Sequence, residues 1–230
     1  MRYFLLAICI FISLQNASSQ TYEVGVVYGG TNFVGDVGSA SFVNPMDYIS
    51  NDKISYGIIM KWNRSPRHAF RFTALSMNTF ASDLRAKEPR RLMRGLGFKS
   101  TITELSLGLE FNFFEWDLHS IKRPLFTPYI YAGPTYFFTN EFKINTSDQL
   151  EKSGDVSTFA IPAVFGMKVT LGRHWVLGAE FGARYTLADN LDGSESEILT
   201  FGNSNMNDWY MFSGFTLTYT FGRMPCYCNF

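Results

Sequence analysis

The sequence has few cysteines, no excess of charge and only one sustained apolar run. Three of its 230 residues are cysteine, and the two outside the N-terminal segment lie at the C-terminal end, so no disulfide frames the fold. The 20 basic residues are balanced by 20 acidic ones, whereas a nucleic-acid-binding protein would show a basic excess. After the N-terminal segment, no apolar run is long enough to form a transmembrane helix.

The N-terminal segment has the features of a secretory signal peptide. Arg2 precedes the apolar run Tyr3–Leu14, which is too short to span a bilayer as a helix. Small residues follow at Ala17, Ser18 and Ser19. We therefore expect residues 1–19 to be removed and the mature chain to begin at Gln20; the alternative is a membrane anchor.

Two cysteines remain in the mature chain, Cys226 and Cys228. A Cys-x-Cys pair can oxidise outside the cytosol, although such a small ring is strained. A zinc site would need further ligands nearby. We interpret the pair as part of an exposed C-terminal tail, residues 224–230, and expect no metal or cofactor.

Strict alternation of side chains is the main structural signal. In Trp175–Asp189 every second residue is apolar or aromatic, and the others are small, polar or charged. Successive side chains of a strand point to opposite faces, so this segment has one apolar and one polar face. Similar strand-like segments recur, which predicts eight strands: Tyr22–Tyr28, Ile54–Trp62, His68–Asp83, Leu105–Phe113, Phe126–Phe138, Phe159–Leu171, Trp175–Leu187 and Trp209–Phe221.

The connections between these strands alternate in length. Arg64–Arg67 and Gly172–His174 are short, while Thr31–Lys53, Leu84–Ser100, Thr139–Thr158 and Ala188–Asn207 are long and polar. This pattern predicts an eight-stranded antiparallel transmembrane β-barrel over residues 20–223, with short periplasmic turns, long extracellular loops and both termini in the periplasm. The apolar faces then contact lipid, and Trp62 and Trp175 lie near the periplasmic interface, opposite Trp209. A soluble barrel or sandwich is the alternative.

Charged residues on the polar faces are predicted to point into the barrel. They comprise four acids and four bases, so every buried charge can find a partner. Two interpretations follow, a gated ion path or an ion-pair network that fills the lumen, and we favour the network. The eight residues are Glu23, Lys61, Arg71, Glu104, Glu110, Lys168, Glu180 and Arg184.

Catalysis is not indicated. The three histidines, His68, His119 and His174, all fall at predicted periplasmic turns, so none reaches a site at the outer leaflet. No Gly-rich phosphate loop and no His-Glu-x-x-His motif is present. We expect a protein that is not an enzyme.

Two predicted outer loops differ in charge. Leu84–Ser100 holds six basic residues against Glu88 alone, while Ala188–Asn207 holds four acids and no base. The basic loop has the charge to bind lipopolysaccharide phosphates or a partner; alternatively, the two loops pair across the barrel mouth or are simply solvated.

Two stretches resemble a known family. The start of the mature chain, YEVGVVYGGTNFVGDVG, and the segment FNFFEWDLHSIKRPLFTPYIYAGPTYFF, Phe111–Phe138, resemble the PorG-like outer-membrane barrels of the type IX secretion system of Bacteroidota. The end PCYCNF is also similar, although Pro225 precedes Cys226 where the family order is the reverse. The resemblance covers essentially the whole mature chain.

The resemblance implies a non-enzymatic outer-membrane component of a protein secretion machine. Such proteins tie a periplasmic ring, built from PorK and PorN (GldK and GldN in gliding bacteria), to the outer membrane, and the secretion translocon is a further possible partner. The turn Glu115–Leu125 is unusually long for a periplasmic one, and we interpret it, with the tail, as a docking surface that would face that ring; the alternative is a merely ordered turn. We expect ring contacts at Trp116, Asp117, His119, Lys122, Arg123, Tyr227 and Phe230. The alternative is a small OmpA/OmpX-like porin or adhesin that works through its extracellular loops.

Overall fold

The computed structural model shows that the chain folds as one antiparallel β-sheet. It describes residues 21–34, 54–82, 89, 93, 97–120, 124–144, 150–187 and 209–222. The predicted signal peptide, the tail and the larger part of the predicted long loops lie outside these residues. Within the described part of the chain, no helix has the length and apolar character needed to cross a membrane.

Nine strands make up the sheet. Each consists of residues that alternate between an inward and an outward side chain over at least part of its length. In chain order they are β1 (Thr21–Val34), β2 (Ile54–Asn63), β3 (His68–Ser82), β4 (Gly97–Asn112), β5 (Phe126–Ala132), β6 (Thr135–Ile144), β7 (Leu150–Leu171), β8 (Trp175–Thr186) and β9 (Trp209–Gly222).

Strands β5 and β6 occupy a single position in the sheet. Only Gly133 and Pro134 separate them, and both pair with β4 on one side and β7 on the other. The register is unchanged across the break, because Ala132 faces Ala163 and Thr135 faces Ala160. Proline has no N–H to donate, so the ladder is interrupted there. Eight strand positions result, and the predicted fold class is confirmed.

The sheet closes into a barrel because β1 pairs with β9 and β3 pairs with β4. Following paired residues once around the barrel from Met77 on β3 leads to Arg67, which directly precedes β3 and lies ten positions before Met77. This stagger requires a strand tilt of roughly 40°. The path runs through Ser55, Gly29, Gly214, Glu180, Gly166, Tyr129 and Asn112. A closed barrel leaves no unpaired sheet edge around its circumference.

The two ends of the barrel differ. The turns Arg64–Arg67 and Gly172–His174 lie at one end, called the turn end below, and the opposite end is called the loop end. Gly172 has a positive φ of 77°, which allows the tight turn between β7 and β8. His68 and His174 lie at the turn end with the β4–β5 connection that contains His119, as the alternation of connections predicted.

The outside of the barrel is an apolar band between two rows of aromatic side chains. Trp175 contacts Tyr219 at the turn end, and Tyr185 contacts Trp209 at the loop end. Tyr185 lies ten positions after Trp175 on β8, which at about 3.3 Å per residue and a tilt of about 40° spans about 25 Å. This is the height of the apolar band of outer-membrane β-barrels. The architecture is therefore that of an outer-membrane barrel.

The long loops were predicted too long. Residues Thr139–Ile144 and Leu150–Thr158, placed in one loop by the sequence, form a hairpin of β6 and β7 that continues beyond the loop-end aromatic row. Likewise, β1 continues to Val34 and β4 begins at Gly97. Outside a bilayer a hairpin needs no apolar face, so its residues lose the alternation that marks the strands in the band.

A charged residue introduced into the band tests whether it faces lipid. Leu107 is 58% exposed on the outward face of β4, between the two aromatic rows. We expect Leu107→Arg to lower the free energy of unfolding in lipid vesicles by about 2–4 kcal/mol, since a cation near the bilayer midplane is poorly solvated. Thr103→Arg, near the loop end of the same strand, is the control and should cost about 0–1 kcal/mol. Equal costs for the two variants would contradict a lipid-facing band.

Candidate functional site in the lumen and its plug

The inward side chains form a continuous polar column along the lumen. All eight charged residues predicted to point inward are buried there, each no more than 4% exposed. Alternation places them inside, because each lies on the face opposite the apolar row of its strand. Their four negative and four positive formal charges sum to zero.

Glu110 on β4 is the centre of this column. Lys61 Nζ lies 2.8 Å from Glu110 Oε2, and Lys168 Nζ lies 2.5 Å from Oε1. Arg71 Nη1 approaches Oε2 at 3.7 Å. One carboxylate therefore joins cations from β2, β3 and β7 across the lumen.

A second carboxylate holds the other side of Arg71. The Arg71 guanidinium donates two hydrogen bonds to Glu180, at 2.8 and 2.9 Å. The Tyr129 hydroxyl donates to the same carboxylate at 2.9 Å. Two-pronged arginine–carboxylate pairs are geometrically specific, so this contact fixes β3 against β8 across the barrel.

The two outer carboxylates lie on either side of this centre. Towards the loop end, Glu104 accepts hydrogen bonds from Arg184 Nε at 3.3 Å and from the Tyr210 hydroxyl at 2.8 Å. Towards the turn end, Glu23 accepts from Asn63 Nδ2 and Thr218 Oγ1, both at 2.8 Å. Each acid thus has at least two donors.

Aromatic rings fill the space between the charges. Lys61 Nζ lies 5.0 Å from the centre of the Tyr129 ring, and Arg71 lies 4.6 Å from that of Tyr131. Tyr131 also hydrogen-bonds to Ser106. An eight-stranded barrel has an interior that side chains can fill, and here charged and aromatic groups occupy it. The network, rather than an open ion path, is the arrangement that the structure contains.

The connection between β4 and β5 closes the turn end. Its side chains alternate, with Glu115 and Asp117 exposed and Trp116 and Leu118 buried. Trp116 is 2% exposed and Leu118 8%, and both pack against the inward Val176. We call Trp116 and Leu118 the plug.

The plug contacts the charged column directly. The Trp116 indole Nε1 donates to Glu23 Oε1 at 3.4 Å, and Lys168 Nζ lies 4.6 Å from the indole ring. A cation over an indole face is attracted to it electrostatically. The column and the plug therefore form one continuous filling of the lumen.

The backbone of the connection is tied to the barrel rim. Trp116 N–H donates to the Pro66 carbonyl at 2.9 Å, and Leu125 N–H donates to Thr170 Oγ1 at the same distance. On the far side, His119 Nε2 lies 2.9 Å from Thr21 Oγ1 at the start of β1. These contacts hold the connection across the barrel mouth.

The residues expected to contact a partner fall into three groups. Asp117 is exposed at the turn end and His119 is half-buried, so both lie at the surface of the connection. The sequence predicts that Trp116 contacts a partner, but its side chain is buried and supports the connection from inside the barrel. Lys122, Arg123, Tyr227 and Phe230 lie outside the described residues, and their contacts stay predictions.

Sequence reasoning missed the buried half of the connection. The alternation Glu115-Trp116-Asp117-Leu118 has the same period of two as the strands, and this signal was available. It was overlooked because the segment is short and follows the end of a strand. The lumen tyrosines Tyr129 and Tyr131 were also missed, because the two faces of Phe126–Phe138 are not cleanly separated in the sequence. Tyr210 was not named, although it lies opposite the apolar row of β9.

The part of the chain that the structure describes contains no candidate metal site. Within it, no group of three or more His, Cys, Asp or Glu residues is placed to hold a metal ion. The His68 ring contacts Phe111 edge-on, and the His174 ring stacks on Tyr219, so these two rings belong to the turn-end aromatic row.

Comparisons with known proteins give a family and several distant structures. A family model described as "Domain of unknown function (DUF6089)" matches residues 2–230. No curated protein matches the chain in sequence. One similar solved structure is OprG of Pseudomonas aeruginosa, with 10% sequence identity and a TM-score of 0.48, covering 91% of this chain and 99% of OprG. Another is Ail of Yersinia pestis, with 7% sequence identity and a TM-score of 0.46, covering 89% of this chain and 100% of Ail. The N-terminal barrel of OprF of Pseudomonas aeruginosa has 12% identity and a TM-score of 0.45, over 87% and 97%.

Removing the central carboxylate tests the energetic role of the column. We expect Glu110→Gln to lower the free energy of unfolding by about 3–5 kcal/mol, because Lys61 and Lys168 then lose their shared buried partner. Chemical denaturation in vesicles measures the change. Glu115→Gln is the matched control: its side chain is 77% exposed, so the expected change is within about 0.5 kcal/mol. A loss at Glu110 no larger than at Glu115 would refute the role.

Cysteine labelling tests the plug. In a background with Cys226→Ser and Cys228→Ser, we expect Asp117→Cys to react with a maleimide at least about tenfold faster than Leu118→Cys, because only the buried position needs a local opening. Labelling is followed in the folded protein, and the unfolded protein supplies the intrinsic rates. Similar rates at both positions in the folded protein would mean that the connection does not hold Leu118 inside the barrel.

Proposed function

The chain belongs to the DUF6089 family, and we propose, from its sequence resemblance to the PorG-like barrels and from its filled lumen, that it is a non-enzymatic outer-membrane barrel that anchors a periplasmic assembly of the type IX protein secretion system. In this proposal the turn end faces the periplasm, and both termini of the mature chain lie there. The β4–β5 connection presents the docking surface.

The filled lumen is the observation that carries the proposal. Charged groups from four strands meet at Glu110, and Trp116 with Leu118 occupies the mouth below them. A barrel filled in this way is poorly suited to passing solutes, which favours a function carried out at its two ends. Stability of the barrel itself is then useful, since an anchor must resist force.

The β4–β5 connection has the properties of a preorganised docking element. Its buried residues and backbone hydrogen bonds hold it in place, while Glu115 and Asp117 point outward. Asp117 also accepts a hydrogen bond from the His119 backbone at 3.0 Å, which orders the exposed side of the connection. An element that is ordered before binding loses little conformational entropy when a partner docks.

The partner is proposed from the sequence resemblance. It implies a ring of PorK and PorN, or GldK and GldN where gliding motility is also served. Asp117, His119, Lys122 and Arg123 would provide contacts on the connection, and Tyr227 and Phe230 would provide contacts on the tail. Trp116 would act indirectly, by holding Asp117 in position.

Crosslinking in native membranes tests the anchor. A tagged chain is treated with a mild lysine-reactive crosslinker, purified and analysed by mass spectrometry. We expect crosslinks from Lys122 to a periplasmic ring protein, and we expect Asp117→Lys to weaken co-purification of that protein at least about tenfold by reversing a contact charge. Asn78→Lys, at the other end of the barrel, is the control and should leave it unchanged. Recovery of outer-surface partners alone would refute the anchor.

The alternative function is a small porin or adhesin. The projecting β6–β7 hairpin favours the adhesin version, since it extends beyond the apolar band at the loop end. Conductance separates the porin version from the anchor. We expect the purified barrel to produce no stepwise current in planar bilayers, because the column and the plug occupy the lumen. Reproducible single-channel steps that disappear on heat denaturation would favour a porin.

A further inference from the structure

A groove interrupts the outward face of the barrel on β1 to β4. Two rows of paired residues cross these strands: Tyr28, Tyr56, Ser76 and Thr103, and below them Val26, Ile58, Ala74 and Leu105. The β3 members, Ala74 and Ser76, are small, whereas their neighbours on β2 are large. The resulting groove measures about 530 Å³, within the roughly 300–1,000 Å³ range of small-molecule sites.

The chemistry of the groove changes along the barrel axis. Its lower wall is apolar, with Val26 and Ile58 both more than half exposed. Towards the loop end the same face carries hydroxyl and amide groups, and the exposed Thr101 Oγ1 donates to Asn78 Oδ1 at 3.0 Å. An apolar channel that ends in hydrogen-bonding groups matches a lipid whose chain enters the band and whose head lies above it.

The sequence next to the groove indicates the charge of that head. Strands β3 and β4 form the floor and one wall, and they remain paired up to Ser82 and Gly97. These two residues are the last described pair of β3 and β4, at the loop end of the same strands that carry the groove. The stretch Leu84–Ser100 has six basic residues and a single acid, Glu88. Basic side chains favour a phosphate-bearing head group.

We propose that the groove on β1 to β4 binds an acyl chain of a phosphorylated glycolipid of the outer leaflet, of the lipid A class. Tyr28 and Tyr56 form one wall against the chain, Ala74 and Ser76 form the floor, and Asn78 with Thr101 meets the sugar head. The site uses only outward-facing residues, so it is independent of the lumen and of the plug. It rests on the proposed outer-membrane location and on the proposed orientation, with the loop end facing outward, but not on any periplasmic partner.

Binding is tested with the intact purified barrel in detergent, by native mass spectrometry with added lipid A. Phosphatidylglycerol and phosphatidylcholine are the comparison lipids. We expect lipid A to be retained at least about tenfold more tightly than phosphatidylcholine, with phosphatidylglycerol between them. Equal retention of all three lipids would overturn the proposal, because it would show ordinary contact with surrounding lipid.

Filling the groove distinguishes this site from binding by the loops alone. Ala74→Phe and, separately, Ser76→Phe should each weaken lipid A retention about tenfold, since the added ring occupies the floor. Ala179→Phe is the matched control: it adds the same ring to the band on β8, between Met167 and Phe215, and should have no effect. Both groove variants are first checked for a heat-dependent shift on a denaturing gel. The test then does not depend on the folding of a single variant.

Two further results are decisive. Replacing Arg90, Arg91 and Arg94 by glutamate should remove the preference for lipid A over phosphatidylcholine while leaving the barrel folded. If this change abolishes binding but the groove variants retain lipid A normally, the groove proposal is wrong. Loss of ring crosslinks with normal lipid A binding would instead contradict only the anchor.

Discussion

The contact of Glu110 with Lys61, Lys168 and Arg71 is the constraint on which the rest of the barrel depends. One carboxylate connects cations from three other strands, and Arg71 continues the connection to Glu180. Buried charges are costly without partners, so each strand must keep the register that brings its charge to the centre. The polar column therefore specifies alignment as well as filling the lumen.

The plug follows from the same constraint. Glu23 and Lys168 lie at the lower end of the column and would meet water at an open mouth. The Trp116 indole covers both, through a hydrogen bond to one and a cation–π contact with the other. Because Trp116 and Leu118 are held inside, Glu115 and Asp117 are directed outward. The connection thus couples the interior of the barrel to the surface proposed for docking.

Contact with lipid, rather than with water, determines the outward faces of the barrel. Aromatic rows about 25 Å apart mark where the bilayer begins and ends, and between them the faces of the strands are apolar. The groove at Ala74 and Ser76 departs from this regular surface. The described part of the molecule therefore has three regions: a filled interior, a turn end that is continuous with it, and a lipid-facing side with one distinctive recess.

Alternation in the sequence by itself determined the inward and outward faces of those strands in which polar and apolar residues alternate strictly. It identified eight strand positions and the eight charged residues that are buried in the lumen in the described part of the chain, because a period of two is a local property of an extended chain. It did not determine which charges meet. Glu110 and Lys168 are 58 residues apart and Arg71 and Glu180 are 109 apart, and only the stagger of the closed sheet brings each pair to one level. The inward fold of Trp116 and the extension of β6 and β7 were likewise decided by the tertiary structure. The position of Trp116 depends on a cavity formed by strands that are distant in sequence. The β6–β7 extension lies beyond the apolar band, where strands in water need no apolar face.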